Sequence, residues 1–167
     1  MSKNIITPPD AGAAPDANLP NHNTGFSRKH EDLNRINSFR PDDWKPLLSL
    51  IPEIEKTTIF GECVPSKQMG ENGHSFPYWS SAPVVDRFIQ LVYKMPVIVH
   101  FKWSAWDKGR KMALDEDFDF NSIDIATKCK LITAIVRSDR FSDGALIEAF
   151  DSGLILKLLK SINQQLL

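Results

Sequence analysis

The chain has 167 residues, of which 42% are apolar and 25% charged, with 20 Lys and Arg against 21 acids. That length suits one domain, and the mix is too apolar for full disorder. The net charge of -1 excludes a protein that coats nucleic acid or an anionic membrane through global charge alone.

No apolar run approaches the ~20 residues of a membrane helix. The opening stretch from Met1 to Pro8 lacks the long apolar segment of a leader. A cytoplasmic setting is therefore expected. Cys63 and Cys129 lie far apart in no metal-like spacing, which favours free thiols in a reducing compartment.

Residues 1–38 read as a disordered N-terminal arm. Pro8, Pro9, Pro15, Pro20 and Gly12 punctuate it, and no apolar period runs through it to offset the entropy of ordering. Phe26, Leu33 and Ile36 are its only anchors. The arm is expected to be solvated, or to fold on a partner.

Residues 39–167 read as a single globular helical domain. Pro41, Asp42 and Asp43 suit the first turn of a helix. Trp44, Leu47, Leu48 and Ile51 follow at helical spacing, and Pro52 breaks or restarts the helix. Residues 59–64 and 76–79 are short and β-prone, separated by a polar loop, and suit a small hairpin. Pro83 opens a helix whose Val85, Phe88, Val92 and Met95 share one face. Pro96 ends it, and Val97, Ile98 and Val99 suggest a third strand. Ser104 is the expected cap of the next helix, with Asp107 three residues on. Ser122 is the expected cap of another, striped by Ile125, Cys129, Ile132 and Val136. Two C-terminal helices carry Leu146, Ile147 and Phe150, then Leu154, Ile155, Leu158, Leu159 and Ile162, with Gly153 between them.

The expected fold is α+β and mainly helical. It is a compact bundle of five to six helices with a small antiparallel sheet of two or three short strands.

Four blocks resemble a family known as domain of unknown function 6508. They are Tyr78-Trp79-Ser80-Ser81, then Phe101-Lys102-Trp103-Ser104-Ala105-Trp106, then Val136 to Gly144, and last Phe150-Asp151-Ser152-Gly153-Leu154-Ile155. The resemblance covers roughly residues 76–162, and extends toward Trp44. It implies a small bacterial or phage-borne soluble protein and no particular activity.

Three constellations could carry a site. Arg137, Asp139 and Arg140 place two guanidiniums and a carboxylate within four residues. Planar donor forks of this kind clamp phosphates and carboxylates, and the next helix N-terminus could add N–H groups. The plainer alternative has Asp139 cap that helix or pair with an arginine, and Phe141 plug the core. Tyr78, Trp79 and Trp103, with Phe76, could line a pocket or fill a seam between helix and hairpin. Trp103 and Trp106 alternate with Lys102, Lys108, Arg110 and Lys111, as in single-strand binders. The acids Asp115, Glu116, Asp117 and Asp119 that follow oppose a phosphate chain.

Catalytic and metal motifs are absent from the sequence. His22, His30, His74 and His100 form no ligand spacing, no Gly-rich phosphate loop or nucleophile elbow occurs, and Cys63 with His74 is a weak nucleophile–base pair. No cofactor is expected. The expected function is non-enzymatic binding of another protein through the arm and the surface around Arg137 and Arg140. A small anionic ligand or nucleotide held by the arginines and aromatics is the alternative, and association with nucleic acid comes third.

Overall fold

A computed structural model describes residues 24–70 and 73–167. Residues 1–23, the larger part of the expected arm, lie outside it. Residues 24–38, also assigned to the arm on sequence, hold helix α1 (Thr24–Asn37) instead. Ile36 enters the core and Asp32 is buried, so packed structure begins ahead of Phe39.

The architecture is mainly helical α+β, as expected. Helices α2 (Pro41–Leu48) and α3 (Ile51–Lys56) come next. The Arg40 N–H donates to Asp43 Oδ2 at 2.8 Å, which fixes the entry to α2. Pro52 sits in the first turn of α3, so the chain restarts there rather than kinking. Trp44 and Leu47 face inward from α2 and Ile54 from α3.

Strand β1 (Gly61–Val64) pairs antiparallel with β4 (Tyr78–Ser81), in a register that sets Gly61 against Ser81 and Cys63 against Trp79. This is the expected hairpin. Its connecting loop folds back into a second small ladder, β2 (Gln68–Met69) with β3 (Gly73–His74).

Helix α4 (Pro83–Lys94) buries Val84, Val85, Phe88 and Val92. Residues 97–99 form no strand, contrary to expectation. Side chains take the place of a neighbouring strand: the Val99 N–H donates to Thr133 Oγ1 at 3.0 Å, and the His100 N–H to Asp32 Oδ2 at 2.8 Å.

A 3₁₀ turn (Trp103–Ala105) precedes α5 (Asp107–Leu114). Ser104 lies within that turn and does not cap α5. Helix α6 (Ile125–Ser138) is capped by Asp124, whose Oδ1 accepts from the Thr127 N–H at 2.6 Å. The expected cap, Ser122, instead donates its hydroxyl to the Asp119 carbonyl. An aspartate two residues nearer the apolar stripe accepts that N–H with a charged oxygen, and the bond holds the Asp124 carboxyl below the usual range.

Helices α7 (Ala145–Asp151) and α8 (Leu154–Gln165) complete the chain. One apolar cluster runs from Ile36 to Ile162. The Phe150 ring lies 5.1 Å from Phe60 and 5.3 Å from Phe88, which locks α7 against both the hairpin and α4.

Candidate functional site

Helix α6 ends at Ser138, and the turn over residues 139–144 reverses the chain into α7. Each successive part of this turn reaches a different element. Asp139 Oδ1 accepts from the Leu146 N–H at 3.0 Å, so it satisfies an orphan donor in the first turn of α7. Arg140 donates through Nη2 to the Tyr93 hydroxyl on α4 at 3.0 Å, with its guanidinium carbon 6.0 Å from the ring centroid. Phe141 stacks on Trp103 in the 3₁₀ turn, with ring centroids 5.9 Å apart. Gly144 adopts φ +90°, and a Cβ there would come within 2.7 Å of the Trp79 indole on β4.

The side of the turn facing away from the core is rich in rings. Phe141 is 82% exposed, Tyr78 57%, and Trp79 and Tyr93 43% each. The expectation that Phe141 plugs the core is overturned. Leu146, Ile147 and Phe150 already fill the space under the turn, and the stack on Trp103 holds the Phe141 ring outside.

Three shallow recesses border the turn. Tyr78 and Trp79 line the first, of about 230 Å³, with Ser81, Ile89, Asp139 and Asp143. Trp79 and Asp143 also border the second, of about 390 Å³, with Glu148 and Asp151. The third, of about 210 Å³, lies between Trp103, Trp106 and α6 and holds Arg110, Leu131 and Ile135.

The residues expected to form one site are thus divided. Tyr78, Trp79 and Asp139 meet on one side of the turn, and Trp103 and Trp106 on the other. Trp106 is half-buried, packed edge-on against Phe101 at 5.3 Å and closely against Gly109. Arg137 is half-buried on α6, Arg140 is turned toward Tyr93, and neither lines any of the three recesses. Sequence reasoning missed Tyr93, Asp143, Glu148 and Asp151. Tyr93 stands on the face of α4 opposite the apolar stripe, which marks it as outward-facing. For the acids no local signal existed.

The model of a family of unknown function, DUF6508, matches residues 39–166. The chain belongs to this family. No curated protein and no solved structure matches it. The matched segment contains every element from α2 to α8, whereas α1 precedes it.

Two buried polar groups have no part in the aromatic face. Lys128 on α6 is fully buried, and its Nζ has no hydrogen-bond partner among the described residues. Burial pushes its amine down to about 8, against the pull of Asp124 and Asp119. Asp32 is nearly as deep and well satisfied. It accepts from the His100 backbone N–H, from His100 Nδ1 at 2.7 Å and from Arg35 at 2.8 Å. Burial works against its ionisation, but these bonds prevail and leave its carboxyl below the usual value.

Both cysteines are free. Cys63 is exposed, whereas burial drives the Cys129 thiol up to about 12, so it stays protonated and inert. Cys63 and His74 lie on different ladders, which gives no support to a nucleophile–base pair. Among the described residues no cluster of three or more His, Cys, Asp or Glu could hold a metal. No described helix is long and apolar enough to cross a membrane.

Proposed function

We propose that this DUF6508 protein is a non-enzymatic binding protein whose partner is another protein, engaged by the aromatic face around the turn at residues 139–144. The observation that carries this reading is the 82% exposure of Phe141, next in the chain to Arg140, on a turn whose neighbours Tyr93, Tyr78 and Trp79 are also exposed. Aromatic residues and arginine are the types enriched at the energetic centres of protein interfaces. The rings here are also pre-positioned: Trp103 holds Phe141, and Tyr93 holds Arg140. Little side-chain entropy remains to be lost on docking.

The recess expected to hold a ligand between arginine and aromatic side chains favours the same reading over the small-ligand alternative. The one between Trp103 and Trp106 holds a single arginine and about 210 Å³, below the roughly 300–1,000 Å³ usual for small-molecule sites. Nucleic acid is less well supported, because Trp103 and Trp106 are spent on packing and are not free to stack on bases. A cytoplasmic setting in a bacterium or phage-infected cell belongs to this proposal.

The test is a photo-crosslinking residue at position 141 in the native cell, followed by binding of the purified captured protein to variants. Phe141→Ser and Arg140→Ala should each weaken that complex at least tenfold while the melting temperature holds. A captured protein that binds both variants like the wild type, or no discrete adduct at all, would refute the reading.

A further inference from the structure

The three recesses differ in charge, and the difference specifies a partner chemistry. The two that share Trp79 are bordered by Asp139, Asp143, Glu148 and Asp151, and no lysine or arginine lines either. Only Asp139 is committed, through its bond to the Leu146 N–H. Among the described residues the carboxylates of Asp143, Glu148 and Asp151 make no ion pair or hydrogen bond. Tyr78 and Trp79 supply ring faces at the same opening, and the indole is backed by Gly144, where any side chain would collide with it.

A π-face beside unpaired carboxylates attracts a cation twice over, through the ring quadrupole and through Coulomb attraction. The first recess, at about 230 Å³, is too small for a typical small-molecule ligand and open enough to admit one side chain. Its sign is opposite to that of the anion clamp read from Arg137 and Arg140, which lie outside it.

We propose that the Trp79 recess receives an arginine or lysine side chain presented by the partner protein, with the indole of Trp79 and the ring of Tyr78 as its walls and Asp143 as its counter-charge. Glu148 and Asp151 extend the negative surface for a second basic residue nearby. This rests on the protein-binding reading and adds to it the partner's chemistry: a basic segment seated on Trp79. Attraction between these exposed charges weakens as salt rises.

The experiment titrates the full chain with blocked hexapeptides of alternating Gly and Arg, Gly and Lys, or Gly and Glu, and follows the four indole N–H signals by NMR. Trp79→Phe assigns the relevant signal. The Arg and Lys peptides should move the Trp79 signal, leave that of Trp106 in place, and bind at least fivefold more tightly than the Glu peptide. Asp143→Asn combined with Glu148→Gln should cost at least fivefold in affinity without lowering the melting temperature.

A Trp79 signal that ignores the basic peptides up to millimolar concentration overturns the proposal. So does equal binding by the charge-neutralised variant. Butylammonium or guanidinium ions that bind as tightly as the peptides would point to a free small cation and overturn the assignment to a protein. Self-association that is lost in Lys102→Glu with Arg110→Glu would assign the recess to a second copy, and overturn it likewise. A protein captured at position 141 that binds Phe141→Ser poorly but Asp143→Asn with Glu148→Gln normally would leave the broader reading standing and remove this one.

Discussion

The two ends of α6 treat polar groups in opposite ways. Near its start, Lys128 lies fully inside the molecule without a hydrogen-bond partner among the described residues, and five residues on, the Thr133 hydroxyl oxygen accepts from the Val99 N–H. At its far end, Asp139 and Arg140 are satisfied by neighbours at the surface, and Phe141 is left in water. The buried end follows the demands of packing at a cost in electrostatics. The exposed end is electrostatically settled and keeps an apolar ring where folding gains little from it. Under the proposed docking reading, an exposed ring held in place while the core is already full belongs to the interface, and the contrast then sets a structural end of the helix against a binding one.

The buried end should give the largest stability effects. An unpaired ammonium in the core is costly, so Lys128→Met, which keeps the apolar length, should raise the unfolding free energy at pH 7. The pH dependence tests the same point. Lys128 titrates at about 8 in the folded chain against 10.5 when unfolded. Below pH 8 both states are protonated and the full penalty applies. Between 8 and 10.5 the unfolded chain holds the proton that the folded one has lost, so stability rises with pH. The rise over that window is about 3 kcal/mol at 1.36 kcal/mol per unit, and chemical denaturation across pH 7–11 should find it in the wild type and not in Lys128→Met. A flat wild-type profile would mean that the amine reaches water.

Gly144→Ala comes next, at the exposed end. It combines a positive φ with a collision against Trp79 and should cost roughly 1–3 kcal/mol, visible as a lower melting temperature and a blue or red shift of the indole emission. Thr133→Val should cost about 1–3 kcal/mol, because it strands the buried Val99 N–H while preserving side-chain volume. If the loss at Gly144 were far smaller than at Thr133, the Trp79 indole would be less firmly seated than its contact with Gly144 implies.

The helical parts of this fold were legible because their information is local. The stripe Val85, Phe88, Val92 recurs at three and four residues and is buried. The same holds for Cys129, Ile132 and Val136, and the β1–β4 hairpin follows from two short β-prone runs. What could not be read depends on distant partners. Residues 97–99 look like a strand, yet the Val97 N–H donates to the Val92 carbonyl, the Val99 N–H to Thr133, 34 residues away, and the next one to Asp32, 68 away. Helix α1 escaped notice because Asp32 and Ile36 make sense only against His100 and the core. At the site, the aromatic and arginine residues around the turn were identified by type, but their grouping was not. Trp79 and Trp103 fall on opposite sides of residues 139–144, and the carboxylates of Asp143, Glu148 and Asp151 meet Trp79 only once α7 packs on the hairpin.

The smallest stability effect and the sharpest functional one should come from the same residue. Phe141 is 82% exposed and touches chiefly Trp103. Phe141→Ser should therefore change the unfolding free energy by about 0.5 kcal/mol or less, as for surface positions in general. If the ring serves docking, that neutral substitution still removes an interface anchor, and truncating such anchors costs on the order of 2 kcal/mol or more in binding. Affinity for the partner should then fall at least tenfold at unchanged melting temperature. The reverse pattern, a large stability loss with intact binding, would make Phe141 a cover for Trp103 and return this end of α6 to the structural half.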